Sequence, residues 1–270
     1  MPRLINLHPR RSSALALSAL PFILLLLAYI FGSSLRLAEN PDDKLLPALS
    51  GIAETIKQYA FQEDARSGEV LFWLDTWASL KRIGIALSIS AVTALMLGLC
   101  IGIIPMVRAT LGTFVTALSM IPPLAVLPIL FIALGLDELS KIVLIIIGIT
   151  PVMIRDLAQR CQELPSEQLI KAQTLGANSL QLVLRVVLPQ LLPRLLGSLR
   201  LQLCSAWLFL ISAEAIASTE GLGYRIFLVR RYLAMDVILP YVLWITLLAF
   251  LMDWLLRFAS RKTFPWAETN

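Results

Sequence analysis

The chain has 270 residues, 58% of them hydrophobic and 15% charged, and a mean hydropathy of +0.79, too apolar for a water-soluble domain of ordinary composition. Its net charge of +5 is what basic loops on one side of a membrane protein supply, and it gives no reason to expect a nucleic-acid partner. One histidine, His8, and three cysteines, Cys100, Cys161 and Cys204, without a CxxC, exclude His-based catalysis and a zinc site and read as a tail residue and small core residues.

Several apolar runs reach the roughly 20 residues that cross hydrocarbon. They are continuous rather than alternating, so helices are expected and a barrel is not. The first, Ser12 to Phe31, follows Arg3, Arg10 and Arg11. It is long for a secretory signal and no A-x-A site follows, so it reads as an uncleaved span that starts in the cytoplasm. A polar segment from Arg36 to Asp75 comes next, rich in acidic residues such as Asp42, Asp43, Glu63 and Asp64, and is expected outside, with a short helix near Leu49 to Phe61. The second span is read from Ile83 to Ile104. Gly84, Gly98 and Gly102 allow close packing there, and an inner loop follows at Pro105 and Arg108.

The third span, Thr113 to Leu134, contains Pro122, Pro123 and Pro128, which remove hydrogen-bond donors and force a bend or a break. Carbonyls freed at membrane depth need protein or water, so this segment reads either as cavity lining or as a kinked packing helix. A turn from Gly135 to Lys141 precedes the fourth span, Ile142 to Ile154, which is short unless it begins at Leu139 and includes Arg155. Residues 155–194 then carry a basic excess, with Arg155, Arg160, Lys171, Arg185 and Arg194, and belong inside. The fifth span is read from Leu195 to Ala217 and the sixth from Val237 to Phe258, before Arg261 and Lys262. Both termini therefore fall inside, although Arg225, Arg230 and Arg231 on the last outer connection oppose the charge rule.

Within the inner loop, "LIKAQTLGANSLQLVLRVVLP" (Leu169 to Pro189) is a polar, amphipathic interruption. Leu169, Ala172 and Leu175 or Gly176 share one helical face. Gly176 suits a left-handed helix end, and Asn178 or Ser179 can cap the next helix. Such a helix-turn-helix serves either as a contact for a partner's groove or as an interfacial helix on lipid headgroups.

This stretch resembles the cytoplasmic coupling loop of permease subunits of bacterial ABC importers, whose pattern is E-A-A, three residues, Gly, nine residues, Ile, any residue, Leu-Pro. Ala172, Gly176, Leu188 and Pro189 match it, Val186 takes the place of Ile, and Ile170 and Lys171 depart from Glu and Ala. "SMIPPLAVLPILFIALGLDELSK", "LFLISAEAIASTEGLGYRI" and "LLRFASRKTFPW" are similar to segments of the nitrate, sulfonate and taurine branch. The resemblance covers about Ser79 to Trp266.

It implies an all-α integral membrane protein of the type I ABC importer permease fold. The division is a cytoplasmic tail with the first span (1–35), a periplasmic segment (36–78), a permease core of five spans (79–260) with its coupling loop (156–193), and a cytoplasmic tail (261–270). It also implies a dimer with a second copy of the permease in the inner membrane and a periplasmic or lipid-anchored substrate-binding protein. ATP and Mg would be held by a separate ABC ATPase subunit, with no cofactor or catalytic site in this chain. On that basis Lys171, Ala172, Thr174, Leu175, Gly176, Ala177, Asn178, Leu188 and Pro189 would meet the ATPase. Pro122, Pro123, Ala125, Pro128, Trp207, Ser212 and Glu214 would line the path of a small solute such as a sulfonate, taurine or nitrate.

Glu214, at the edge of an apolar span, reads either as a pathway carboxylate or as a structural partner of Arg225 or another outer arginine. The outer arginines read as steering an anion, as contacts for the binding protein, or as solvated charge. Asp253 is expected to pair with Arg257 one turn later. The sequence has no GxxxxGK[ST], HExxH or GxSxG, which argues against a P-loop or a membrane-embedded enzyme. A non-transporting membrane scaffold remains the alternative.

Overall fold

The computed structural model describes residues 11–40, 43–63 and 68–267. Arg3, His8, Arg10, Asp42, Asp64 and residues 268–270 lie outside the described residues. The helices are α1 (Arg11–Glu39), α2 (Leu49–Phe61), α3 (Leu71–Ile103), α4 (Pro105–Leu118), α5 (Pro123–Leu134), α6 (Glu138–Gln162), α7 (Ser166–Thr174), α8 (Ser179–Leu182), α9 (Leu188–Ala217), α10 (Leu222–Val229) and α11 (Met235–Thr263). A π-helical turn, Val183–Val187, joins α8 to α9. Among the described residues, five helical segments are long and apolar enough to cross a membrane, and the pair α4 and α5, bent by 93°, adds a sixth if the two form one broken span rather than a re-entrant loop. This is the expected all-α bundle, with different borders.

The borders differ because a charged residue ends an apolar run without ending a helix. α3 starts at Leu71 rather than Ile83 and takes Asp75, Lys81 and Arg82 into the helix. Its 33 residues extend about 50 Å, against roughly 30 Å of hydrocarbon, so its charged first turns need not sit in lipid. α6 starts at Glu138, one residue from the longer of the two borders read for the fourth span, and includes Arg155, while α9 starts at Leu188 rather than Leu195 and α11 continues past Phe258 to Thr263.

Pro105, expected in a loop, is the first residue of α4, where its missing N–H costs little. The same missing N–H leaves the Ile101 carbonyl at the end of α3 without its helical donor. Arg108 turns back and donates to the Ile101 carbonyl at 3.1 Å and to the Gly102 carbonyl. The expected break in the third span lies at Ser119 to Pro122, with Pro122 as the N-cap of α5 and Pro123 in its first turn.

α6 is the central helix, with α3 on one side and α9 on the other. Ile83, Ala86, Ala94, Ile145, Ile149, Met153, Leu157, Ala206, Leu210 and Ala213 form the buried seam. Close approach is set by Gly98 and Gly102: a Cβ there would lie 2.8 Å from the Leu157 Cβ and 2.4 Å from the Cys161 Cβ. Gly84, expected to share that role, faces open space. Midway, Thr150 donates to Ser90 at 2.9 Å. Cys161 is buried as expected, but Cys100 and Cys204 are exposed; both sit on outward faces, where a mildly apolar side chain suits a hydrocarbon surrounding.

α2 is found where expected and joins the bundle through aromatic residues. The Trp73 indole donates to the Ala60 carbonyl at 3.0 Å and the Trp244 indole to Thr76 at 3.0 Å, beside edge-on rings of Phe72, Tyr241 and Tyr59. Such rings suit the boundary between headgroups and hydrocarbon. α1 stands apart. Leu15, Phe22 and Leu25 on it are more than 70% exposed, and its tether is Tyr29 donating to the Pro47 carbonyl at 2.7 Å and Ser33 donating to the Leu46 carbonyl at 3.0 Å.

Candidate functional site

Two polar regions occupy opposite ends of the bundle. The first lies where α3 and α6 begin and α9 ends. Asp75, Ser79 and Arg82 are spaced four and three residues apart on α3, so they share one face, and each is at most 1% exposed. Three consecutive backbone N–H groups at the start of α10 meet that face and the end of α9: Gly221 donates to Asp75 at 2.9 Å, Leu222 to the Ser79 hydroxyl at 2.9 Å, and Gly223 to Glu214 of α9 at 2.9 Å. These are the donors that a helix start leaves without intrahelical partners, and they carry the positive end of its dipole.

Glu214 is fully buried. It also accepts from Ser79 at 2.8 Å and from the Arg82 guanidinium at 2.7 Å. Arg82 in turn holds Glu138 at 2.5 and 2.8 Å and the Glu220 carbonyl at 2.9 Å, and Lys141 adds a bond to Glu138 at 2.7 Å. The partner of Glu214 is therefore Arg82 of α3, not an outer-loop arginine. Arg225 pairs instead with Asp75 at 2.8 Å. Partial burial opposes the Arg225 charge, and bonding to the Asp75 carboxylate outweighs it, so its pKa is raised.

Gly221 has φ +122°, and a Cβ on it would lie 2.5 Å from the Glu214 carboxyl carbon and 2.7 Å from the Arg82 guanidinium. Only a glycine lets the chain pass here. The spacing of Asp75, Ser79 and Arg82 was a signal for this cluster, hidden because its partners lie far along the chain.

The second region, at the opposite end, is the loop between α6 and α9. α7 closes at Gly176, φ +85°, with Ala177 N–H donating to the Ala172 carbonyl at 3.0 Å and Gly176 N–H to the Gln173 carbonyl at 2.9 Å, the paired bonds of a Schellman end. Asn178 opens α8 with a reciprocal cap: its side chain accepts from the Gln181 N–H at 2.8 Å, and its own N–H donates to the Gln181 side chain at 3.1 Å. Of the two capping residues considered, Asn178 is the one used.

Leu169 and Ala172 turn toward the core, while Lys171, Gln173 and Thr174 are exposed. So are Ile170 (57%), Leu175 (80%), Leu180 (66%) and Leu184 (51%). Ala177 is half-buried and open space surrounds Gly176. Leu188 and Pro189 are half-buried where the loop enters α9. Three large apolar side chains on a short, locally braced, polar loop, and Leu184 on the adjoining π turn, are thus presented to the outside, the kind of surface that a partner covers.

The remaining predicted residues do not share one environment. Pro122, Ala125 and Pro128 are exposed on α5, Pro123 is half-buried, and Ser212 is half-buried with its hydroxyl bonded to the Leu208 carbonyl at 2.8 Å. Trp207 is 4% exposed, with an indole N–H that has no hydrogen-bond partner among the described residues. Asp253 pairs with Arg257 at 3.4 Å as expected, but more closely with Arg200 of α9, at 2.7 Å.

Residues 94–265 match the family model described as "Binding-protein-dependent transport system inner membrane component". The chain is 36% identical over 199 residues to the taurine transport system permease protein TauC of Escherichia coli (strain K12), covering 73% of this chain and 72% of that protein. It is 30% identical over 210 residues to the putative aliphatic sulfonates transport permease protein SsuC of Bacillus subtilis (strain 168), covering 77% and 75%. A solved structure titled as inward-facing conformations of the MetNI methionine ABC transporter shares the fold, with a TM-score of 0.63 at 20% identity over 72% of this chain and 98% of that one. The chain accordingly belongs to the binding-protein-dependent transport system inner membrane component family and is a multi-pass permease subunit of an ABC importer.

Proposed function

We propose that this permease carries a small sulfonate, taurine or similar oxyanion across the bacterial inner membrane, delivered from outside by a binding protein and driven by a separate ATPase that holds ATP and Mg. The named transport roles of its relatives support that solute class. The observation that carries the coupling part is the α7–α8 loop: a rigid, doubly capped projection with Ile170, Leu175 and Leu180 exposed, and Leu184 exposed on the adjoining π turn. That end of the bundle also bears Arg155, Arg160, Lys171, Arg185, Arg194, Arg257, Arg261 and Lys262, and a basic excess favours the cytoplasmic side. With the loop inside, the Asp75–Arg82–Glu214 cluster faces outside.

Lys171, Ala172 and Thr174 to Asn178 would sit in the ATPase groove, and Leu188 and Pro189 would pass its movement to α9. An ATPase moves the bundle only if docking differs in free energy between two bundle states, and a loop held by its own caps transmits that difference without yielding. The solute path is placed between two copies of the chain, along the α5 face that carries Pro122, Pro123, Ala125 and Pro128 and the side of α9 that carries half-buried Ser212 and buried Trp207. Glu214, engaged on both carboxylate oxygens, is placed as an anchor of the outer end. Purification from native membranes in mild detergent tests the reading. A P-loop ATPase and a binding protein are expected to accompany the chain; an intact bundle that brings neither supports the scaffold alternative.

A further inference from the structure

We infer that the π-helical turn Val183–Val187 is the hinge between the α7–α8 loop and α9, and that Gln190 is the positioning residue that ties its state to the position of α7. The inference rests on the coupling role proposed above for that loop.

The turn originates in Pro189. In an unbroken α-helix the Arg185 carbonyl would receive the N–H of residue 189, and proline has none. The Leu188 N–H reaches back to the Val183 carbonyl instead, one residue further than in an α-helix, so the turn holds an extra residue. Each residue of an α-helix turns the chain by about 100°. Conversion between π and α bonding therefore rotates α7 and α8 relative to α9 without unfolding either.

Gln190 sits on the first turn of α9. Its side-chain nitrogen donates to the Val186 carbonyl at 2.9 Å, within the turn, and to the Gln168 side-chain oxygen on α7 at 3.1 Å. A primary amide has two hydrogens to give, so one group holds a carbonyl of the turn and senses α7 together. Displacing α7 removes one bond and frees Gln190 to leave the other.

The surroundings leave room for the movement. Leu182, immediately before the turn, borders two cavities. One, of about 510 Å³, separates Ala177, Leu180 and Val183 from Ile104 and Pro105 at the α3–α4 corner. The other, of about 380 Å³, lies between Leu164, Leu169 and Val187 and the side of Ile103 and Arg108. Close-packed interiors resist displacement, whereas Leu182 borders two clefts that are partly open to the surface. Gln190 thus has a part in coupling that the Gly and Leu-Pro framework does not describe.

The test is hydrogen exchange, read by mass spectrometry over residues 183–190, of the full complex with its ATPase in lipid nanodiscs. Nucleotide-free and Mg-ATP-vanadate-trapped states are compared. Wild-type exchange over this segment is expected to differ between the states by about fivefold, the effect of one hydrogen bond on a local opening equilibrium. Gln190→Leu and Gln168→Ala are expected to exchange fast in both states while the ATPase still co-purifies, and Gln168→Glu, which keeps an acceptor, is expected to retain the wild-type difference.

Equal wild-type exchange in the two states overturns the hinge. Variants that lower complex yield yet keep the nucleotide-dependent difference give Gln190 a folding role only and also overturn it. Absence of any ATPase from the wild-type preparation overturns the coupling reading together with this one.

Discussion

The two ends of the bundle solve opposite problems with polar residues. At the cluster around Glu214, Asp75, Ser79, Arg82 and Glu214 are enclosed and satisfied by one another, by Glu138 and by the start of α10, so α3, α6, α9 and α10 are fixed in one arrangement. At the α7–α8 loop the side chains are exposed, the hydrogen bonds are local caps, and the connection to the bundle is a π turn beside two cavities. Buried charges left without a partner are costly, which makes the first end stiff. Caps and single exposed hydrogen bonds contribute far less each, which lets the second end move as a unit. The coupling proposed above needs both: a fixed far end and a near end that moves as a unit.

Substitutions that break this contrast should rank accordingly. Arg82→Leu strips the buried Glu214 carboxylate of its charged partner and is expected to cost roughly 3–5 kcal/mol, seen as a large fall in the thermal midpoint of the detergent-purified protein. An unchanged midpoint would mean that the end around Glu214 is not the stiff one. Gly221→Ala comes next. Its positive φ alone costs about 1–3 kcal/mol, and the added carbon meets Glu214 at 2.5 Å, so the same assay should register a smaller but clear loss.

Gly176→Leu sharpens the comparison, since the space around it is open and only its positive φ is strained, by about 1–2 kcal/mol. The bundle midpoint should hold while most of the co-purifying ATPase is lost; a normal yield of complex would sink the docking assignment. Asn178→Ala should have the smallest effect, about 1 kcal/mol confined to the loop, measurable as faster limited proteolysis near Leu175 to Leu180 with the midpoint unaltered.

What the sequence made legible followed from local chemistry. Gly176 as a helix end, Asn178 as a cap, α2, and the break at Pro122 and Pro123 each depend on residues within a turn or two. The span borders were not legible, because whether Asp75 or Arg82 can stay helical depends on Arg225 and Glu214, whose sequence separations from them are 150 and 132. The misassigned partner of Glu214 has the same origin: charge and proximity along the chain favoured Arg225, while packing brought α3 alongside. The π turn was hidden for a different reason. Pro189 announces a disturbed helix, but whether the helix stops, kinks or takes in an extra residue depends on Gln190 and on what α7 offers it.

The central claim is that the α7–α8 loop is the seat of an ATPase in the cytoplasm. A photo-crosslinking amino acid placed at Leu180, activated in native membranes and followed by mass spectrometry of the adduct, tests it most directly. A single protein adduct, a P-loop ATPase, is expected. Adducts to lipid alone would contradict it and make the loop an interfacial helix.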